Sequence, residues 1–232
     1  MTEHTGASYN SITKKYAQTV DTKPWNAYYE RPALVSLLPP LANTIVLDVG
    51  CGSGWYTEFL VNNGALVTAF DLNAEFVALT RARLGERAKV LQGDMTEPLD
   101  FAHDDEFDLV VCPLVLHYLQ DWQPTLREFQ RVLKQNGLLV FSTHHPFMDW
   151  KLFNRPDYFA LEKLEDEWEI GKVEFYRRPL TTMSADLETT GFYIERLLEP
   201  QPTEAFRRAN AVKYEQLMTN PWFLVIRARK KG

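Results

Sequence analysis

The feature that most constrains this chain is a β-rich run that ends in a glycine cluster and is followed by a helical segment. Residues 44–49 form the run, residues 50–54 read Gly-Cys-Gly-Ser-Gly, and residues 55–62 have helical character up to an Asn-Gly stop. Glycines between a strand and a helix permit a tight turn, let a ligand approach bare backbone and place unpaired helix N–H groups nearby. We therefore predict a ligand-binding turn at Gly50, Gly52 and Gly54, with Asp48 at the end of the strand.

Short apolar runs and helical periodicity alternate as far as residue 143. Strands of this length joined by helices predict right-handed crossovers and a mostly parallel sheet covered on both faces. We expect Asn136-Gly137 to stop the last of these helices. The predicted strands are 44–49, 66–70, 88–92, 107–112 and 138–142, and the predicted helices are 55–62, 74–84 and 124–134.

The pattern changes after residue 143. Residues 144–180 are rich in aromatic and acidic side chains without a sustained period, which indicates a cap insertion, although plain core packing also accounts for many of these rings. A helix at 181–190 and strands at 192–198 and 222–228 follow, with a long connection at 199–221 that we expect to be functional or mobile. A further helix is predicted at 25–38.

Composition and length favour one domain. The chain has 232 residues, 45% of them hydrophobic, which is enough for one substantial core. We therefore expect a single domain over residues 1–232, with an N-terminal helical lid at 1–43, a binding core at 44–143, the cap insertion at 144–180 and C-terminal strands at 181–232.

The net charge and the cysteine content limit the kinds of partner, metal site and cellular location that can be expected. The net charge of −6 removes the general attraction to phosphate backbones, so nucleic acid is not an expected partner. No apolar run approaches membrane-spanning length. The two cysteines follow no metal-ligand spacing, which predicts no metal site and a reducing, cytoplasmic location.

Two further strand ends carry candidate binding residues. Asp71 ends the second strand about 20 residues after the glycines, where a carboxylate can accept hydrogen bonds from both hydroxyls of a ribose. Asp94 and Met95 follow the third strand, where the carboxylate can accept from the exocyclic amine of adenine while the thioether packs on the base. Alone, Asp71 could be a helix cap and Asp94 an ordinary turn residue.

Together these motifs resemble those of the class I S-adenosylmethionine (SAM) dependent methyltransferases of the bacterial small-molecule type. The resemblance covers residues 44–143, with Val-Leu-Asp48-Val-Gly50-Cys-Gly52-Ser-Gly54 as the first motif, Phe70-Asp71 as the second and Gly93-Asp94-Met95 as the third. It implies an α/β fold: a Rossmann-like, seven-stranded, mostly parallel sheet whose last strand is antiparallel. It also implies an enzyme that transfers a methyl group from SAM to a small-molecule acceptor.

The resemblance further implies roles for individual residues toward SAM. Asp48 and the glycines would lie at its methionine portion, Asp71 and Leu72 at the ribose, and Asp94 and Met95 at the adenine. Residues 112–114, with Cys112 and Leu114, would meet the methionine end near the transferred methyl. Tyr16, and with it Tyr9, would close over the cofactor, unless this terminus is frayed.

Three histidines are candidate general bases because they follow the carboxyl ends of the fourth and fifth strands, where ligands bind in open α/β sheets. They are His117, His144 and His145. His117 lies in an apolar stretch where a packing role is the alternative. Because adjacent residues in extended chain point in opposite directions, at most one of His144 and His145 should face the methyl group. A base is needed only if the acceptor loses a proton before attack.

Two other functions share parts of this pattern. A nicotinamide-dependent oxidoreductase uses a similar turn, but its fold places the third glycine one residue later than Gly54. A SAM-binding sensor, or an inactive partner subunit, would keep the same motifs without turnover. The sequence leaves the acceptor atom open and is compatible with a homodimer.

Overall fold

The computed structural model describes residues 19–168 and 171–232, and its centre is a seven-stranded sheet. The strand order across the sheet is β3-β2-β1-β4-β5-β9-β8, and β6 and β7 form a separate hairpin. The strands are β1 (Ile45–Val49), β2 (Leu66–Asp71), β3 (Lys89–Gln92), β4 (Phe107–Pro113), β5 (Leu133–His144), β6 (Glu162–Trp168), β7 (Gly171–Arg177), β8 (Phe192–Leu198) and β9 (Phe223–Lys230).

Strand direction confirms the expected fold class. Strands β1 to β5 pair in parallel, with Val46 aligned to Val67 of β2 on one side and to Leu109 of β4 on the other. The last strand, β9, is antiparallel to both of its neighbours, β5 and β8. The sheet is therefore Rossmann-like, with one reversed strand inserted between β5 and β8.

Helices cover both faces of the sheet. They are α1 (Arg31–Ser36), preceded by a π-helical turn (Asn26–Glu30), α2 (Trp55–Asn62), α3 (Ala74–Leu84), α4 (Gln123–Val132), α5 (Pro146–Leu152), α6 (Leu180–Thr189), α7 (Glu204–Ala209) and α8 (Ala211–Leu217). Asn73 caps α3, because its side-chain oxygen accepts hydrogen bonds from the N–H groups of Glu75 and Phe76. Within residues 19–168 and 171–232, no helix combines the length and the apolar character needed to cross a membrane.

The core is divided into two layers by the sheet, because successive side chains of a strand point to opposite faces. Leu47 and Val49 of β1 pack in one layer with Val110, whereas Val46 packs in the other with Val111. The strands are thus apolar on both faces, as expected for a parallel sheet between two layers of helices.

Two expectations about chain segments were wrong in detail. Helix α4 ends at Val132, and Asn136, with φ +62°, lies inside β5 rather than at a helix stop. There the register shifts, since Leu133 aligns with Phe107 but Leu138 aligns with Leu109, so the Asn-Gly pair forms an irregularity in the strand.

The segment 199–221, expected as a long connection, instead contains α7 and α8. Their side chains Phe206 and Leu217 are buried in a small aromatic cluster with Tyr29 and Phe223, which supplies the apolar contacts that hold both short helices in place. The region expected as a cap holds α5 and the β6–β7 hairpin.

Candidate active site

A cavity of about 820 Å³ opens at the carboxyl ends of the parallel strands. This is the edge of an open α/β sheet where ligands bind. The tips of β1, β2 and β3 lie side by side in the sheet order and form one end of the cavity, while the tips of β4 and β5 continue into the other end. The topology therefore brings together residues that are far apart in sequence.

The glycine turn after β1 presents bare backbone to this cavity. Gly50, with φ +67°, and Cys51 both donate backbone hydrogen bonds to the carbonyl of Phe70. A Cβ on Gly50 would lie 2.5 Å from a methyl carbon of Val115, so no side chain fits there. A Cβ on Gly52, with φ +55°, would meet no protein atom within 4 Å. Gly52 thus borders open space that a ligand can fill.

Asp71 holds the second strand tip beside the first. Its Oδ2 accepts a hydrogen bond from Gly52 N at 2.9 Å, and its Oδ1 accepts one from Asn73 N at 2.9 Å. Burial raises the pKa of Asp71 above its usual value, and the two N–H donors act against that rise. Each carboxylate oxygen still has a lone-pair site for a ligand hydroxyl. Leu72, 44% exposed, lines the cavity next to it.

The third tip places Asp94 and Met95 in the cavity wall. Asp94 Oδ1 accepts hydrogen bonds from Thr96 N and Thr96 Oγ1, both at 2.8 Å, which fixes the turn. Thr125 Oγ1 donates to the carbonyl of Met95 at 2.9 Å and ties the turn to α4. Seven of the predicted cofactor residues line this one cavity: Gly50, Gly52, Asp71, Leu72, Asp94, Met95 and Leu114.

Three predicted cofactor residues do not line the cavity, which corrects their roles. Asp48 is fully buried, and its Oδ2 accepts a hydrogen bond from Thr57 Oγ1 at 2.6 Å, so it ties β1 to α2. A Cβ on Gly54 would lie 2.9 Å from the Thr80 side chain, so this glycine allows α2 and α3 to approach each other. Cys112 is fully buried in the core because its side chain points into a helix layer. Asp48 and Gly54 thus hold the turn against the neighbouring helices, and Cys112 contributes to the core.

Two of the three candidate histidines line the cavity. The rings of His117 and His144 stack with centroids 4.2 Å apart and planes 18° apart. His145 points away, as extended backbone requires of a neighbour, and its Nε2 lies 2.7 Å from Glu199 Oε1. The prediction of a catalytic His145 is therefore corrected: this side chain links the end of β5 to the segment after β8.

Burial keeps the two cavity histidines uncharged. Desolvation lowers the pKa of His144 to about 4 and holds the pKa of His117 well below its usual range. Both ring nitrogens of His117 are buried and without a hydrogen-bond partner among the described residues. A neutral imidazole can accept a proton from a ligand or donate one hydrogen bond to it.

Glu30, a buried carboxyl in the cavity wall, was not among the predicted site residues. It is 1% exposed and accepts hydrogen bonds from the Tyr56 hydroxyl at 3.0 Å and from Ser142 Oγ at 2.6 Å. Burial raises its pKa to about 7. The adjacent Arg31, also in the wall, stacks over the Trp55 ring at 4.3 Å. The pair Glu30-Arg31 within an otherwise apolar helical segment was the sequence signal that could have indicated a buried, functional carboxyl.

Asp149, the second missed carboxyl, lies in α5 at the other end of the cavity. Its Oδ2 is 3.9 Å from Nδ1 of His144, beyond hydrogen-bonding distance. Burial raises its pKa to about 8. It stands in the apolar run Phe-Met-Asp-Trp, where an isolated acid is unusual.

Comparisons with known proteins agree with this geometry. Residues 47–141 match a family model described as a methyltransferase domain. The crystal structure of a SAM-dependent methyltransferase from Mesorhizobium loti is similar over 91% of this chain and 100% of that chain, with 26% identity and a TM-score of 0.72. Residues 47–141 are therefore a methyltransferase domain, and the chain around them has the fold of a SAM-dependent methyltransferase.

Curated methyltransferases match shorter stretches of the chain. A ubiquinone biosynthesis O-methyltransferase from Thiobacillus denitrificans is 35% identical over 45% of this chain and 46% of its own length. A malonyl-[acyl-carrier protein] O-methyltransferase from Enterobacter lignolyticus is 34% identical over 48% of this chain and 43% of its own length. The matched segment thus spans less than half the length of either relative.

The methyltransferase domain makes the protein a transferase with SAM as its cofactor, and the cavity residues fit that molecule. The open space beside Gly52 admits a ligand against the backbone, and the doubly anchored Asp71 presents a fixed carboxylate. Asp71 would hold the ribose, Asp94 and Met95 the adenine, and the Gly50 turn the methionine portion. Tyr16, expected to close over the methyltransferase cofactor, lies outside the described residues.

Proposed function

We propose that the protein transfers the methyl group of SAM to a small-molecule acceptor by in-line displacement. The observation that carries this proposal is the continuity of the cavity. One end has the three strand tips that suit a nucleoside, and the other has His117, His144 and Asp149 among aromatic rings. Donor and acceptor can therefore meet inside one enclosure.

When bound, SAM supplies an electrophilic methyl carbon on a positively charged sulfur. The protein then needs mainly to align the two reactants and to exclude water, and alignment alone can contribute roughly 7–11 kcal/mol in well-oriented cases. The rigid turn at Gly50 and the backbone-anchored carboxylate of Asp71 suit the positioning of the donor. No nucleophilic side chain of the enzyme is required.

His144 is the proposed proton acceptor for acceptors that lose a proton on attack. It lines the cavity, is uncharged at neutral pH because of its lowered pKa, and has the carboxyl of Asp149 on its Nδ1 side. A neutral imidazole can receive a proton, although a pKa of about 4 makes it a weak base until a ligand changes its surroundings. His117, stacked on it, would keep the ring in place.

The named relatives support methyl transfer but do not identify the acceptor. Their names refer to ubiquinone biosynthesis and to a malonyl group on acyl-carrier protein, and each match covers less than half of the relative. The buried free thiols of Cys51 and Cys112 favour a reducing compartment, so a cytoplasmic location belongs to this proposal. A homodimer, the absence of a nucleic-acid partner and the four segment boundaries stay predictions.

Calorimetry and a turnover assay test the proposed function. We expect the purified protein to bind S-adenosylhomocysteine, the demethylated product, and not to bind nicotinamide dinucleotides. We also expect it to transfer a labelled methyl group from SAM to members of a metabolite library. Tight cofactor binding with no transfer to any metabolite would favour the sensor alternative, and no cofactor binding would refute the proposal.

A further inference from the structure

The end of the cavity beyond the strand tips β1 to β3 has a distinct chemical character, and we refer to it as the acceptor compartment. It is formed by the tips of β4 and β5, by α5 and by the β6–β7 hairpin. The residues that matter for its chemistry are His117, His144, Asp149, Phe153, Asp166 and Phe175.

Two polar side chains of the compartment have unused hydrogen-bonding capacity. Asp149 is 8% exposed, and its carboxyl makes no hydrogen bond within the described part of the chain, since His144 Nδ1 is 3.9 Å away. His117 is 2% exposed, and neither ring nitrogen has a partner there. A buried polar group without a partner costs roughly 1–3 kcal/mol, so both groups favour a ligand that pairs with them.

The groups in this compartment that can become charged at neutral pH are acids, and burial disfavours the charged form of one of them, Asp149. Asp149, Asp166 and Glu167 line it, and both histidines are neutral. The described cations that line the cavity are Lys23 and Arg31, which belong to the N-terminal segment at the cofactor end. The compartment therefore provides no described cation to pair with an anionic acceptor.

Arg177, a buried cation outside the cavity wall whose charge acts on Asp149, is already paired. The guanidinium of Arg177, with no exposed side-chain surface, donates to the carbonyls of Tyr158, Asp157 and Ala160 and to Glu162 Oε2 at 2.6 Å. Its field favours the charged form of Asp149, but burial outweighs it and the pKa of Asp149 is raised. A cationic ligand in the compartment would therefore give the Asp149 carboxyl the ion-pair partner that Arg177 does not supply.

Aromatic rings enclose these polar groups. Phe175 meets the His144 ring edge to face at 4.7 Å, and Phe153 lies 6.0 Å from Phe175. Phe223 lies 6.2 Å from His144 on another side. Ring faces attract ammonium groups and also pack against a flat apolar body. Carboxyl and rings together suit an amine attached to an apolar group.

We propose that the acceptor atom is the nitrogen of a primary or secondary amine on an apolar body, bound with its ammonium group against the carboxyl of Asp149. This inference rests on the proposed methyl transfer and specifies its substrate class. The bound ammonium favours the ionised form of Asp149, which releases its proton to solvent as the amine binds. The ammonium then gives one proton to this carboxylate. The nitrogen lone pair then forms the bond to the methyl carbon, and the carbon–sulfur bond breaks with its electron pair left on sulfur. The Asp149 proton passes to solvent when the methylated ammonium product leaves.

The test uses near-isosteric triads that differ in charge. One triad is 2-phenylethylamine, 2-phenylethanol and 3-phenylpropionate, and a second carries the same three groups on an indole. Each compound is titrated by calorimetry into protein saturated with S-adenosylhomocysteine. We expect the amine to bind at least about tenfold more tightly than the alcohol in one or both triads, and the carboxylate to bind most weakly. The proposal is wrong if no amine binds more tightly than its alcohol, or if a carboxylate binds best.

Two variants test whether Asp149 is the source of the preference for amines. Asp149→Asn should reduce amine affinity by about tenfold or more while alcohol affinity and S-adenosylhomocysteine affinity stay the same. Glu165→Gln is the control, because Glu165 is an exposed acid on the β6–β7 hairpin beside the compartment and pairs with Lys172 at 2.6 Å. An unchanged amine preference in Asp149→Asn would overturn the assignment. The triads on the unaltered protein decide the question even if that variant does not fold.

The two proposals fail in distinguishable ways. Absence of S-adenosylhomocysteine binding would refute the proposed function itself. Transfer of labelled methyl to alcohols or phenols but not to any amine would leave methyl transfer standing and refute only the amine assignment.

Discussion

Replacing Asp71 with alanine is the sharpest single test of the cofactor geometry. The carboxylate is held by N–H groups from Gly52 and Asn73, both at 2.9 Å, and lines the cavity, so it is already aligned before a ligand arrives. A hydrogen bond to a charged group contributes about 1.5–3 kcal/mol. Its loss should weaken S-adenosylhomocysteine binding by about 10- to 150-fold at 25 °C, measured by isothermal titration calorimetry.

Two comparisons separate this effect from general damage to the fold. Asp71→Asn keeps the shape but must turn its NH₂ group toward one of the two backbone N–H donors, so it should also bind weakly. Asp100→Asn, on an exposed turn, is the matched control and should bind like the unaltered protein. Equal affinity in Asp71→Ala and the unaltered protein, both folded by circular dichroism, would show that the ribose contact has been assigned to the wrong residue.

Three further predictions concern other parts of the cavity wall. Gly50→Ala should lower the melting temperature strongly because its methyl group would clash with the Val115 side chain. Gly52→Ala should fold with a cost of about 1–2 kcal/mol and lose S-adenosylhomocysteine binding, because its methyl group enters ligand space; normal binding by Gly52→Ala would contradict this. Folding favours the protonated form of Glu30, so the buried carboxyl does not destabilise the protein below pH 4.5, and its cost grows as the pH rises to about 7 and is then constant. In urea titrations, the free energy of unfolding of Glu30→Gln relative to the unaltered protein should therefore increase by up to about 3 kcal/mol between pH 4 and pH 8. A difference that does not change with pH would refute the buried charge. His145→Gln should lower the melting temperature by loosening its contact with Glu199 but leave turnover unchanged, and a large loss of turnover would restore His145 as a base.

Much of the sheet could be predicted because its signals are local. The bounds of α2 and α3 match the expected helices at both ends, since Asn-Gly and Asn-cap residues act within a few positions of the chain. The same reasoning failed at Asn136, where pairing of β5 with β4 and β9 extends the strand through a turn signal. Tertiary hydrogen bonding there outweighed local preference.

The candidate site could be predicted only in part, because direction and burial are not local properties. The spacing of Gly50, Asp71 and Asp94 was readable since each follows a strand whose carboxyl end meets the same sheet edge. The choice between His144 and His145 needed the strand register and the position of Glu199.

By itself the sequence determined the class of fold and the binding of a nucleoside cofactor. These follow from strand, turn and helix signals that act over a few residues, repeated in a fixed order. Only the tertiary structure decided the character of the acceptor end. Glu30 meets Ser142 across 112 positions of chain. Burial raises the pKa of Asp149, and Asp166 of a separate hairpin adds to that rise. Desolvation depends on everything that packs around a group, and that packing exists only once the chain has folded.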